Sequence, residues 1–325
     1  MFKSKISWLQ QEIERLSQDR QHRRALLATV ETVVDIADPK IRLARGYGQA
    51  LLAPVEIATS YCRQLVQALP GPVRLHPQSY HGDPLVKAIF SSLEEMETTL
   101  LQARNAEPPG SGEEVYGLLT MGKKEKTIYG HQQQGELLVR DVAMQAVTFV
   151  DHRVVALSAD LEATKGRLQQ RALEILATVA MENIATLRAH LAELRERRER
   201  LAAMHRILGG KRRTFELFPQ GEQGSSEKIS EVEALLKTTD TEIETARQGA
   251  TPEEMLDHLH RILISPAETM GLQEQSLVLN WMNVIVEPNG QPQEEGHSIT
   301  LAELILKQEL QRWAVLVCFD RRQGA

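Results

Sequence analysis

Apolar residues recur at spacings of three and four over most of the chain, and at β-like spacings in two separate stretches. The most regular run is Leu173, Leu176, Ala180, Ile184, Leu187, Leu191, Leu194, Leu201 and Leu208, with lapses at Arg198 and His205. Such spacing keeps these side chains on one stripe of a helix. The pattern predicts one unbroken helix over Ser158–Leu208, with Ser158 as N-cap and Asp160 and Glu162 in the first turn. Gly166 is its weak point, and Gly209-Gly210 read as its C-terminal stop. At the usual rise per residue it spans roughly 75 Å, so part of it is expected to project from any compact body. A return helix from about Glu227 carries Ile229, Val232, Leu236, Thr239 and Ile243. Thr251-Pro252-Glu253-Glu254 opens a further piece, with Thr251 as N-cap, Pro252 in the first turn and Glu254 closing a capping box. The seam length suits an antiparallel coiled-coil helical hairpin.

Upstream, Ile6, Leu9, Ile13, Leu16, Leu27, Val30 and Val34 mark a helix over residues 4–37. Asp38-Pro39 closes it and opens another, which runs to a kink or short break at Pro54 and continues to Leu69. Asp83-Pro84 starts a helix lined by Val86, Ile89, Phe90, Leu93, Met96, Leu100 and Leu101, and Glu107–Gly112 is a linker.

From Glu114 the period changes. Short apolar runs broken by Gly122-Lys123-Lys124-Glu125, by Gln132–Gly135 and by Asp151-His152 read as an antiparallel meander, with Val142–Val150 also open to a helical reading. The β pattern returns over Ser276–Val286, which ends in the turn signal Asn289-Gly290. It continues over Ser298–Leu306, which could instead be a helix capped at Thr300 and running to Trp313. Ala314–Phe319 is apolar throughout, as expected of a central strand covered on both faces. A meander alone is marginal, so the two β stretches are expected to share a sheet. The fold class expected is α+β, mostly α: a helical hairpin inserted into a small antiparallel sheet, with an N-terminal helical region. The organisation expected is a helical region over 1–106, a sheet unit of 114–157 plus 275–325, and a hairpin insertion over 158–270.

Composition changes this picture little. A net charge of −6 argues weakly against a dedicated nucleic-acid binder, and aromatics at 4% are too few for base-stacking platforms. Cys62 and Cys318 read as reduced core thiols with no metal spacing. No signal peptide or membrane-length apolar stretch is legible, so the expected location is the cytoplasm, with no membrane partner.

The candidate binding residues lie toward the hairpin end: Arg197, Arg198, Lys211, Arg212, Arg213, Phe215 and Phe218. Phe215 and Phe218 could anchor a partner that the cations steer. The bland alternatives are a solvated face with i,i+4 pairs Glu193–Arg197 and Glu196–Arg200, and aromatics folded back as a plug. No phosphate loop, nucleophile elbow or His-Glu-x-x-His motif is present. Gly46-x-Gly48 lacks a preceding strand, and His258 and His260 point different ways on a helix. The one enzymatic candidate is His131, Asp151 and His152 with Lys124 and Lys126, beside which stands a plain polar turn. No catalytic residue, metal or cofactor is assigned. Three functions are ranked: an adaptor binding a protein partner or itself through the hairpin, a nucleic-acid-associated factor using the basic tip, and an enzyme with a site near His131 and His152.

Overall fold

The structure is a computed structural model that describes residues 2–106, 112–134, 137–217, 225–286 and 296–321. In chain order, α1 is Phe2–Ala37, a 3-10 turn spans Pro39–Leu43, α2 is Tyr47–Ala50 and α3 is Leu52–Gln67. Strand β1 is Val73–Arg74, followed by α4 (Pro77–Gly82), α5 (Pro84–Ile89) and α6 (Leu93–Ala106). Two long strands come next, β2 (Glu114–Gln134) and β3 (Leu137–Ser158). Then come α7 (Leu161–Leu217), α8 (Ser225–Gln248), α9 (Pro252–Ile264) and α10 (Pro266–Thr269). Strands β4 (Met270–Leu279), β5 (His297–Leu306) and β6 (Leu310–Asp320) close the chain. The fold is thus mixed helix and antiparallel sheet. It divides into a helical unit, Met1–Ala58 with Glu174–Ser265, and a sheet unit, Thr59–Leu173 with Pro266–Ala325.

In the helical unit, Asp38 ends α1 and caps the next turn, accepting the Lys40 amide at 2.8 Å. Its carboxylate is buried, and Arg188 of α7 pairs with it. Two interactions therefore converge on one short side chain. The helix expected after Pro39 is a 3-10 turn, and Gly46, at φ 73°, separates it from α2. Pro54 does not break α3, which runs through it from Leu52 to Gln67. It is third in the helix, where the amide it lacks has no intrahelical acceptor. Helix α9 packs against the 3-10 turn and buries Met255, Leu259 and Leu263.

Helix α7 runs unbroken for 57 residues. Its bounds differ from those expected at both ends. Ser158 finishes β3, and Asp160 is the cap, its carboxylate accepting the Ala163 amide at 2.8 Å. Gly209 and Gly210 do not stop the helix, and neither takes a left-handed φ. Ion pairs tie α7 to α8: Arg198–Asp240 at 2.5 Å, His205–Glu233 at 3.0 Å and Arg197–Glu242 at 3.9 Å. Numbers rise on α7 as they fall on α8, so the two run antiparallel.

In the sheet unit the strand order is β3-β2-β6-β5-β4. Strands from before and after α7–α9 in the chain therefore share one sheet, joined by β2–β6 pairing from Glu114–Asp320 to Met121–Trp313. Strand β5 pairs with β6 only as far as Ala314, and β1 takes the edge left open at Val317 and Cys318, running parallel. Strand β6 is central, as its composition predicts. Trp313, Val315, Val317 and Phe319 face a core with Val86, Ile89, Phe90, Met96 and Leu100, while Ala314 and Leu316 face Val66, Leu69 and Leu168. The period of two puts an apolar layer on each face. Residues 298–306 are strand, not helix, and turn back through Lys307 and Gln308, both at positive φ.

The expected meander is instead one pair of long strands. The polar clusters at Gly122–Glu125 and Asp151-His152 lie inside β2 and β3, and the Asn289-Gly290 turn and Gly135 lie outside the described residues. Three register shifts interrupt the β2–β3 ladder, each opposite a β3 residue with positive φ: Asp141, Asp151 and Ala156. These are β-bulges, which bend and twist a ribbon too long to stay flat. Gly117 faces the bulge at Ala156, where a Cβ would come within 2.6 Å of Val154 Cγ1.

Candidate functional site

Arg197 and Arg198 both sit on α7 and both pair with carboxylates of α8. Lys211, Arg212, Arg213 and Phe215 fall within the backbone of α7, but their side chains lie outside the described residues, as does the whole of Phe218.

The α7–α8 pair has two distinct faces. Leu194 and Leu201 on α7, with Ile229, Val232 and Leu236 on α8, mark the line along which the helices meet; Leu194, Ile229 and Val232 are buried. At 100° per residue, Arg198 and His205 lie to one side of that line and Arg197, Met204 and Ile207 to the other. On α8 the same geometry puts Glu233 and Asp240 on the first side and Leu235 and Glu242 on the second. The first face carries an open groove lined by His205, Glu233, Leu236, Lys237, Asp240, Thr241 and Glu244. The second carries Met204, Ile207 and Leu235, which are 53%, 60% and 39% exposed. The Arg198–Asp240 and His205–Glu233 pairs set Leu235 about level with Met204 on that side.

Charge is sorted between the helices. On α7, Arg195, Arg197, Arg198, Arg200 and Arg206 outnumber Glu193, Glu196 and Glu199. On α8, Glu227, Glu231, Glu233, Asp240, Glu242 and Glu244 outnumber Lys228, Lys237 and Arg247.

The structure separates Asp151 from His152. Asp151 sits on a bulge at φ 57°, and its carboxylate takes Arg312 at 2.7 Å and Arg153 at 3.4 Å. The Arg312 hydrogen bond, then the Arg153 charge, hold its carboxyl below the usual range. The His152 side chain, 2% exposed, turns inward and stacks on Phe90 at 4.7 Å. Its Nδ1 is 3.2 Å from Glu95 Oε1, and its Nε2 is 3.1 Å from the Ile89 carbonyl oxygen. Asp151 therefore does not orient His152, and the two do not form an acid–base pair. Burial pushes the imidazole below its ordinary range, against the pull of Glu95 and the Ile89 carbonyl. Burial also raises the Glu95 carboxyl, but the Ser91 hydroxyl and amide, then His152, outweigh it and leave the carboxyl low. Lys124 and Lys126 are exposed, and the side chain of His131 lies outside the described residues. Lys123, beside them, pairs with Glu125 at 2.8 Å and sits 4.4 Å from the Trp313 ring centre.

One feature of the sheet unit had no warning in the apolar pattern. A cleft of about 230 Å³ is lined by residues that include His81, Lys87, Asn280, Trp281, Asn283 and His297. Asn280 Oδ1 accepts the Met282 and Val284 amides, and Asn283 Nδ2 donates to the Ala88 carbonyl. These bonds brace a tight loop that holds Trp281 77% exposed. Its signal in the sequence is a pair of asparagines flanking an aromatic, inside Ser276–Val286, whose pattern predicts strand.

No family model, curated protein or solved structure matches the chain. Among the described residues, no group of three His, Cys, Asp or Glu side chains could hold a metal ion. Among them, too, no helix is long and apolar enough to cross a membrane.

Proposed function

We propose that this chain is a non-enzymatic binding protein, an adaptor that holds a protein partner on one face of the α7–α8 pair. The two helices pack in this reading as an antiparallel coiled coil. The observation that carries it is the exposure of Met204, Ile207 and Leu235, three apolar side chains on the same side of two helices otherwise rich in charge. Exposed apolar side chains gathered in one place are a binding signal, where scattered ones are not. Ion pairing of Arg197 and Arg198 with α8 turns two cations of the basic run toward the chain's own carboxylates, which weakens the nucleic-acid alternative. The reading sets the protein in the cytoplasm, which its free thiols Cys62 and Cys318 suit, and cell fractionation checks that placement.

The test uses the full chain, tagged and expressed in its host, beside a variant carrying Met204→Glu and Ile207→Glu. With helicity unchanged by circular dichroism, the variant is expected to lose the chains that co-purify with the parent, further copies of itself included. Recovery of the same chains at the same yield would falsify the proposal.

A further inference from the structure

We infer that the cleft beside Trp281 in the sheet unit is a binding site for a small planar aromatic carboxylate. The inference does not rest on the docking reading above, which concerns the helical unit.

The cleft is built from three directions. Strands β4 and β5 pair Leu279 with His297, and strand alternation puts Ile299 on the same face. Leu279 and Ile299 are buried, so the cleft has an apolar floor. Helices α4 and α5 bring His81 and Lys87 to its rim. The loop after β4 brings the Trp281 indole. That loop is tied to β3: the Ile285 amide donates to the Gln145 carbonyl and the Val147 amide to the Asn283 carbonyl, both at 2.8 Å. With the bonds of the Asn280 and Asn283 side chains, these hold the indole out against the gain that burying it would bring. A site fixed before its ligand arrives avoids much of the ordering cost of binding.

Size limits the ligand. The 230 Å³ of the cleft is the space of roughly seven or eight waters. Sites for drug-sized molecules run to about 300–1,000 Å³. A single ring with one substituent fits, and a nucleotide does not.

The polar groups set its chemistry. Lys87 is the fixed cation of the lining, and among the described residues neither it nor His81 nor His297 has an ion pair. Each imidazole offers an N–H in either protonation state. Asn280 Oδ1 accepts two backbone amides, which leaves its Nδ2 as a further donor. Asp83 is the carboxylate of the lining, and its Oδ1 accepts the Leu85 amide at 2.9 Å. Lys87 and Asp83 cancel in net charge. A doubly charged phosphate therefore gains little, while a single carboxylate needs only Lys87 and the neutral donors. The flat face of Trp281 takes the ring.

The experiment follows the indole N–H signals of the ¹⁵N-labelled full chain during titration with benzoate, with Trp281→Phe assigning the Trp281 signal. Benzoate is expected to shift that signal saturably, with a Kd of about 1 mM or tighter for so few atoms. Benzamide has the shape without the charge, and inorganic phosphate has charge without the ring. Each is expected to bind more weakly by about five-fold or more. Lys87→Gln, at an exposed side chain, is expected to weaken benzoate by a similar factor with the melting temperature unchanged. The benzamide and phosphate comparisons need no variant, so they decide the matter even where Lys87→Gln disturbs folding. Absence of a saturable shift with benzoate overturns the inference, as does equal affinity for benzamide or an indifferent, folded Lys87→Gln. Phosphate bound as tightly as benzoate overturns the aromatic ligand.

Discussion

At the scale of single residues, His152 is held by a conflict of demands. A neutral imidazole has one N–H, yet both ring nitrogens face oxygen acceptors, Glu95 and the Ile89 carbonyl. A protonated ring would satisfy both, but the ring is buried and stacked on Phe90, and burial favours the neutral form. The folded state therefore holds this proton less tightly than the unfolded chain. The contribution to stability is complete above the unfolded value of about 6.5 and is lost as pH falls through and below it. Urea unfolding at about pH 7.5 and 5.5 is expected to show a loss of stability at the lower pH that His152→Gln reduces. An equal loss in the variant would assign the effect elsewhere. Its neighbour Asp151 illustrates a different constraint. Aspartate tolerates left-handed backbone, which serves a turn and a bulge equally well. The residue type thus marked an irregularity correctly, while only the β2–β3 ladder showed that the strand continues through it.

At the scale of elements, the long helix and its partner follow from spacing alone, because a stripe at three and four residues has no other compact use. Their ends do not. Gly209 and Gly210 look like a stop, since glycine is the residue that most often ends a helix in left-handed conformation. Here they are helical, and a Cβ on Gly209 would meet nothing within 4 Å. Gly209→Ala is therefore expected to stabilise the helix by about 1 kcal/mol, read as a higher melting temperature. A loss of similar size would instead mean that the residue needs a left-handed backbone, as a cap does. The strands differ from their pattern for a related reason. Glycine and polar clusters normally end strands, but in β2 and β3 a bulged ribbon accommodates them in its interior.

At the scale of the whole molecule, the net charge of −6 hides an uneven distribution. Helix α7 is locally basic where α8 is acidic, so the summed figure says little about any one surface. It does bear on colloidal behaviour. The sequence isoelectric point is near 6.0, and solubility is expected to pass through a minimum around that pH. A turbidity series across pH checks this, and monotonic solubility through that range would show that local patches dominate. The two units each carry their own buried side chains, with Val30, Val34, Leu259 and Leu263 in the helical unit and Val315, Val317 and Phe319 in the sheet unit. Each is also built from two separate lengths of chain, a property that no local pattern records.

What the residues determined by themselves was periodicity and its consequences. They marked the helical stripes, the caps at Asp38 and Thr251, and the central strand at Ala314–Phe319, because each depends on neighbours within a turn or two of chain. Tertiary structure alone decided the rest. It set the strand order, the inward turn of His152 away from Asp151, the braced loop at Trp281, and the shared face of Met204, Ile207 and Leu235. Each of these joins residues far apart in the chain. Their meeting depends on how apolar faces find one another in three dimensions, and that information is not held by any one stretch of sequence.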